Sequence, residues 1–110
     1  MASRRTTAAA EPPADLLHDL ARALQALGDP VRQRILFLLG GRCREANVGE
    51  LAAEFHLTRP AVSHHLKVLH TAGLVTDDKR GRERYYGLDG VRLRRLLDQL
   101  RAFLDCCGCC

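Results

Sequence analysis

Tryptophan is absent from this 110-residue chain, methionine occurs once, and aromatic residues make up only 5% of it. A core without large rings must be built from leucine, valine and alanine, within one domain too small for a deep catalytic cavity and a lid. No apolar run is long enough to span a bilayer. The opening MASRRTTAAAEPP has two arginines but no apolar stretch, so no secretory signal is expected and the expected location is the cytoplasm. Acidic residues are in deficit, 13 against 17 Lys and Arg, and the net charge of +4 suits a polyanionic partner. Cysteine is nearly missing too, until the end. Cys43 stands alone, and the other four crowd the closing DCCGCC as Cys106, Cys107, Cys109 and Cys110. Neighbouring cysteines make poor staples for loops, so in a reducing compartment such a cluster points to metal binding or redox chemistry.

Helical periodicity organises what remains. Residues 1–12 read as a disordered N-terminal arm, 13–105 as one folded domain and 106–110 as a cysteine tail. Leu16, Leu20, Leu24 and Leu27 mark a first helix with one apolar stripe. Gly28-Asp29-Pro30 ends it and starts a second, with Asp29 as N-cap and Pro30 in the first helical position. That helix runs through VRQRILFLLGG. Asn47 followed by Glu50 is a capping-box start for a short third helix, whose buried side is Val48, Leu51, Ala52 and Phe55. After the turn HLT, Thr58 caps a fourth helix with Pro60 in its first turn. Val62, Leu66 and Leu69 form its inner face, Pro60, Ser63, His64 and Lys67 its outer one, and Gly73 its end. Two short helices joined by about four residues fit a helix-turn-helix. The period then changes: Leu74 to Thr76 and Glu83 to Leu88 read as strands around a turn at Asp78-Lys79-Arg80-Gly81. The last helix carries Leu93, Leu96, Leu97, Leu100 and Leu104 on one side.

A protein that reads DNA needs a slim outer helix face for the major groove, polar groups on it, and cations for phosphates. The fourth helix offers Thr58, Arg59, Ser63, His64 and Lys67, with Ala61 as a small neighbour. The hairpin offers Lys79, Arg80, Arg82 and Arg84. Between Thr58 and Leu88 six Lys and Arg face three acidic residues, so most of the net charge sits in this stretch. His65 lies nearer the buried side and reads as a structural, hydrogen-bonded histidine rather than a ligand.

The segments LGDPVRQRILFLL, ELAAEFHLTRPAVSHHLKVLHTAGLV and RGRERYYGL together resemble the ArsR/SmtB family of winged-helix metal-sensing repressors, over about residues 16–104. The resemblance implies a mainly α fold with a β-hairpin wing, and a homodimer formed through the first and last helices. It further implies a repressor without enzymatic activity, released from a dyad-symmetric operator by a metal or metalloid. Many arsenic-responsive members carry ELCVCDL where this chain has Glu45 to Leu51, so Asn47 and Gly49 replace the ligand cysteines and that site does not carry over. Zinc-type members use Asp and His along the last helix, which here has Asp89, Asp98 and Asp105 but no histidine.

The sensing chemistry is therefore expected in the tail, as in members that bind arsenite through cysteines at the end of the last helix. Thiolates select soft ions. Trivalent arsenic or antimony favours three sulfurs in a pyramid, which Cys106, Cys107 and one of Cys109 or Cys110 supply, with Gly108 letting the backbone fold back. Four sulfurs suit tetrahedral zinc or cadmium instead, and lead and mercury stay open. So does a redox or polysulfide response of the same thiols. A thiol oxidoreductase is disfavoured, because a cluster at a helix C-terminus gains no dipole help for thiolate. Cys43 reads as a small packed residue.

Overall fold

A computed structural model describes residues 14–41 and 44–107, with side chains over 18–41 and 44–105. The N-terminal arm, Cys43, Cys109 and Cys110 lie outside the described residues, as do the side chains of Cys106 and Cys107. Eight elements follow in order: α1 (Ala14–Leu27), α2 (Pro30–Gly41), β1 (Ala46–Asn47), α3 (Val48–Phe55), α4 (Arg59–Thr71), β2 (Val75–Arg80), β3 (Glu83–Leu88) and α5 (Gly90–Cys107). The helices pack around one leucine-rich core, and the strands form a small antiparallel sheet in the order β1-β3-β2. This is a mainly α winged helix-turn-helix.

Local chemistry sets the helix starts. The Asp29 carboxylate accepts from the Val31 N–H at 2.8 Å and opens α2. Asn47 and Glu50 form a reciprocal capping box, each side chain accepting from the other's backbone N–H, at 2.8 and 3.0 Å. The Thr58 hydroxyl accepts from Ala61 N–H at 3.3 Å and caps α4. Between α3 and α4 the chain turns at His56, which adopts a left-handed conformation at φ 55°.

Burial follows the stripes in part. Val62, Leu66 and Leu69 on α4 are fully buried against Ile35, Leu39, Leu51 and Leu74. On α1 the inner line is Leu20, Ala23 and Ala26, whereas Leu24 stands 54% exposed. On α5 Leu96 is buried, and Leu93 and Leu100 pack on the core. Leu97 and Leu104 face outward instead, at 63% and 60% exposure. Each terminal helix thus leaves part of the stripe expected from the sequence outside the core: Leu24 on α1, and Leu97 and Leu104 on α5.

The hairpin differs from expectation. Strand β2 continues through Asp78, Lys79 and Arg80, with Arg80 paired opposite Glu83. The turn is the two-residue Gly81-Arg82, not Asp78 to Gly81. Gly81 has φ +64° and Arg82 does not have a positive φ, the pattern of a II′ hairpin turn, which suits strand twist and favours glycine first. Strand β1 has no counterpart in the sequence reading; it is only two residues long, pairing Ala46 with Tyr86 and Asn47 with Tyr85.

Candidate nucleic-acid interface

The inner face of α4 is held by apolar burial, so its outer face is fixed in direction. Arg59, Ser63, His64 and Lys67 are exposed there, Thr58 is exposed at the cap, and Ala61 is half-buried. Together they form a narrow polar ridge on a helix of 13 residues. No acidic side chain occurs along α4. The Arg59 guanidinium folds back over α3. A Cβ placed on Gly49 would lie 2.6 Å from its Nη2, so the bare glycine backbone makes room for the arginine.

His65 sits on the flank of α4 with its side chain only 16% exposed. Its Nδ1 is 3.4 Å from Arg32 Nη1 and 3.8 Å from the Asp29 carboxylate. Arg32 is a hub: its Nε donates to the Ala26 carbonyl at 2.7 Å and its Nη2 to the Gln25 carbonyl at 3.1 Å. One guanidinium therefore closes the end of α1 and reaches the recognition helix, the structural role expected for His65. The Val31 N–H holds the Asp29 carboxyl below the usual carboxylate range; desolvation opposes the shift, and the nearby His65 and Arg32 add to it.

The wing divides its cations. Arg80 donates to Glu45 at 2.6 Å and to Asp78 at 2.9 Å, and its guanidinium lies 4.9 Å from the centre of the Tyr85 ring. These partners, Glu45 first, raise the Arg80 pKa above its ordinary value. Arg84 donates to Asp77 at 2.5 Å, and the other Asp77 oxygen is 3.2 Å from His70 Nε2 in the last turn of α4. Asp77 thus ties the wing to the recognition helix. The Arg84 hydrogen bond, with His70 nearby, holds its carboxyl below the usual range, although desolvation opposes the shift. Lys79 and Arg82 at the tip are exposed and, among the described residues, have no ion-pair partner. All ten residues singled out from the sequence are on the recognition helix, its cap or the wing. Sequence reasoning missed the acids: Glu45 is 35 residues from Arg80, and no local pattern marks such a pair.

Among the described residues, no three His, Cys, Asp or Glu side chains converge on a point where they could hold a metal ion. Cys106 and Cys107 are the last two residues of α5, and their thiols are outside the described side chains. No helix among the described residues is long and apolar enough to cross a membrane.

Comparison with known proteins agrees with this architecture. Residues 29–77 match the model of the bacterial regulatory protein family arsR. The chain is 32% identical over 81 residues to the transcriptional repressor SdpR of Bacillus subtilis, covering 74% of this chain and 88% of that one. A crystal structure described as a possible transcriptional regulator for arsenical resistance superposes with a TM-score of 0.61 at 45% identity, over 76% of this chain and 81% of that one. A homodimeric winged helix-turn-helix DNA-binding domain from Mycobacterium bovis gives 0.66 at 29% identity, over 96% of this chain and 91% of that one. These relatives are transcriptional regulators and DNA-binding proteins, not enzymes. With the capped recognition helix, the wing and these matches, the chain belongs to the arsR family of bacterial regulatory proteins.

Proposed function

We propose that this protein is a homodimeric repressor that holds operator DNA with α4 and the wing and lets go when trivalent arsenic or antimony binds its terminal cysteines. The observation that carries the DNA contact is the acid-free outer face of α4, where Ser63, His64 and Lys67 are exposed over a fully buried Val62, Leu66 and Leu69. Thr58, Arg59 and Ala61 flank that face. Base edges are read from the major groove by such side chains, while Lys79 and Arg82 at the wing tip meet phosphates. Arg80 and Arg84 chiefly shape the wing, since carboxylates already occupy them.

Dimer formation is supported by the apolar side chains that the terminal helices leave largely exposed in the described protomer, Leu24 on α1 and Leu97 and Leu104 on α5. The homodimeric relative favours the same assembly. Sensing is assigned to Cys106, Cys107 and one of Cys109 or Cys110. Three thiolates match the soft, pyramidal preference of As(III) and Sb(III), and the cluster continues directly from the helix that carries the exposed leucines. An ion that ties the tail together alters the end of α5 and with it the spacing of the two recognition helices. A coupling of about 1–3 kcal/mol loosens binding roughly 5–150-fold.

The experiment is an operator gel shift with arsenite, antimonite, cadmium and polysulfide in parallel. Release by arsenite in the native protein, and none in a Cys106→Ser/Cys107→Ser protein that still binds DNA, is the expected result. A double variant that releases normally removes the tail from the mechanism. Release by polysulfide alone, reversed by reductant, replaces the metalloid with a redox signal.

A further inference from the structure

Beside the recognition helix runs a groove of about 400 Å³ that the assignment above leaves unused. It lies between α1 and α4. Val68 and Ala72 form part of its apolar wall, and Arg22 and Gln25 approach from α1 while His64, Lys67 and Thr71 approach from α4. No acidic residue lines it. Arg22 and Gln25 are exposed, and among the described residues Arg22 has no ion-pair or hydrogen-bond partner. The neighbouring arginine Arg32, by contrast, is spent on backbone carbonyls, Asp29 and His65.

We infer that this groove seats one sugar-phosphate strand of bound DNA, with Arg22 as a phosphate ligand outside the helix-turn-helix and wing. The inference rests on α4 being the helix that enters the major groove. That groove is about 12 Å wide and an α-helix with its side chains is about 10–12 Å across. A helix that fills it brings the phosphate walls to its own flanks. His64 and Lys67 belong both to the outer face of α4 and to this groove, so the groove is continuous with the proposed base-reading surface. A strand lying along the α1 flank meets the Arg22 guanidinium, which matches phosphate oxygens in pairs. The Gln25 amide and Thr71 hydroxyl offer neutral hydrogen bonds to the same backbone.

The test compares native, Arg22→Ala, Arg22→Lys and Gln25→Glu proteins on a random-sequence DNA duplex between about 50 and about 200 mM salt. Removing one phosphate contact per protomer, two per dimer, makes the log–log salt slope shallower by about 1.8 and shrinks the affinity change over that range roughly 12-fold. Arg22→Lys keeps the native slope, and Gln25→Glu weakens binding by placing a carboxylate against the strand. Preference for a selected site over random DNA stays unchanged in Arg22→Ala, because phosphate contacts carry no sequence information. The unliganded Arg22→Ala protein keeps the native melting temperature. A native salt slope in Arg22→Ala overturns the inference, including the case where the groove holds a small organic anion instead of DNA. Native protein that binds neither random nor selected duplex overturns the DNA-binding reading itself and the groove assignment with it.

Discussion

The recognition helix and the wing both present basic side chains to solvent, but only the wing answers them with acids. Helix α4 exposes Arg59 and Lys67 with no carboxylate along its length. In the wing, Arg80 is held by Glu45 and Asp78, and Arg84 by Asp77. A count of cations along the chain treats these groups as equal. Geometry separates them into groups without an acid partner among the described residues and groups that hold the hairpin's shape, and Asp77 carries that shape across to His70 on α4.

The largest break in this comparison comes from below the helix. Leu66 is fully buried, and Leu66→Ala removes the floor that aims the α4 face. A loss of about 2–5 kcal/mol in denaturant unfolding is expected, with DNA binding lost alongside it. Thr58→Ala removes a cap and nothing from the core. It lowers stability by about 1 kcal/mol in the same measurement.

A subtler test separates the two sets of cations. Lys67→Ala, Lys79→Ala and Arg82→Ala each flatten the dimer's salt slope by about 1.8, close to a 12-fold change between about 50 and 200 mM salt. Arg80→Ala and Arg84→Ala leave the slope near native while weakening affinity through a misplaced wing. Equal slopes for all five variants would erase the distinction between cations without an acid partner and those that carboxylates hold.

Acid gives the smallest effect. Asp77 and Asp29 have folded-state pKa values below their unfolded ones. Their contributions are fully present above the usual carboxylate pKa of about 3.9 and are lost as pH falls through the lowered values. The melting temperature of Asp77→Asn should therefore fall less than that of the native protein across the same acid range.

The features readable from the sequence were those set by near neighbours. Asn47 with Glu50, Thr58 before Pro60, and Asp29 before Pro30 announce helix starts because each cap bonds within three residues. The inner face of α4 was readable because Val62, Leu66 and Leu69 repeat with the helix. Partners far apart in the chain were not. Strand β1 exists only because Ala46 and Asn47 meet Tyr86 and Tyr85, some forty positions away, and two residues carry no period of their own. The Asp78-Lys79-Arg80-Gly81 stretch has the composition of a turn, yet pairing with β3 keeps three of its residues in the strand. The leucines of α1 and α5 showed an apolar surplus without saying which would face inward. The reading of the cysteine tail rests on composition alone, since its thiols lie outside the described side chains.

Gly49 opens α3 without a side chain, and the tip of Arg59 rests against its backbone. Its lack of a side chain decides which way Arg59 leans. Any side chain at that position meets the guanidinium and displaces it from α3. A half-buried position on α3 thus sets the direction of a cation that begins α4.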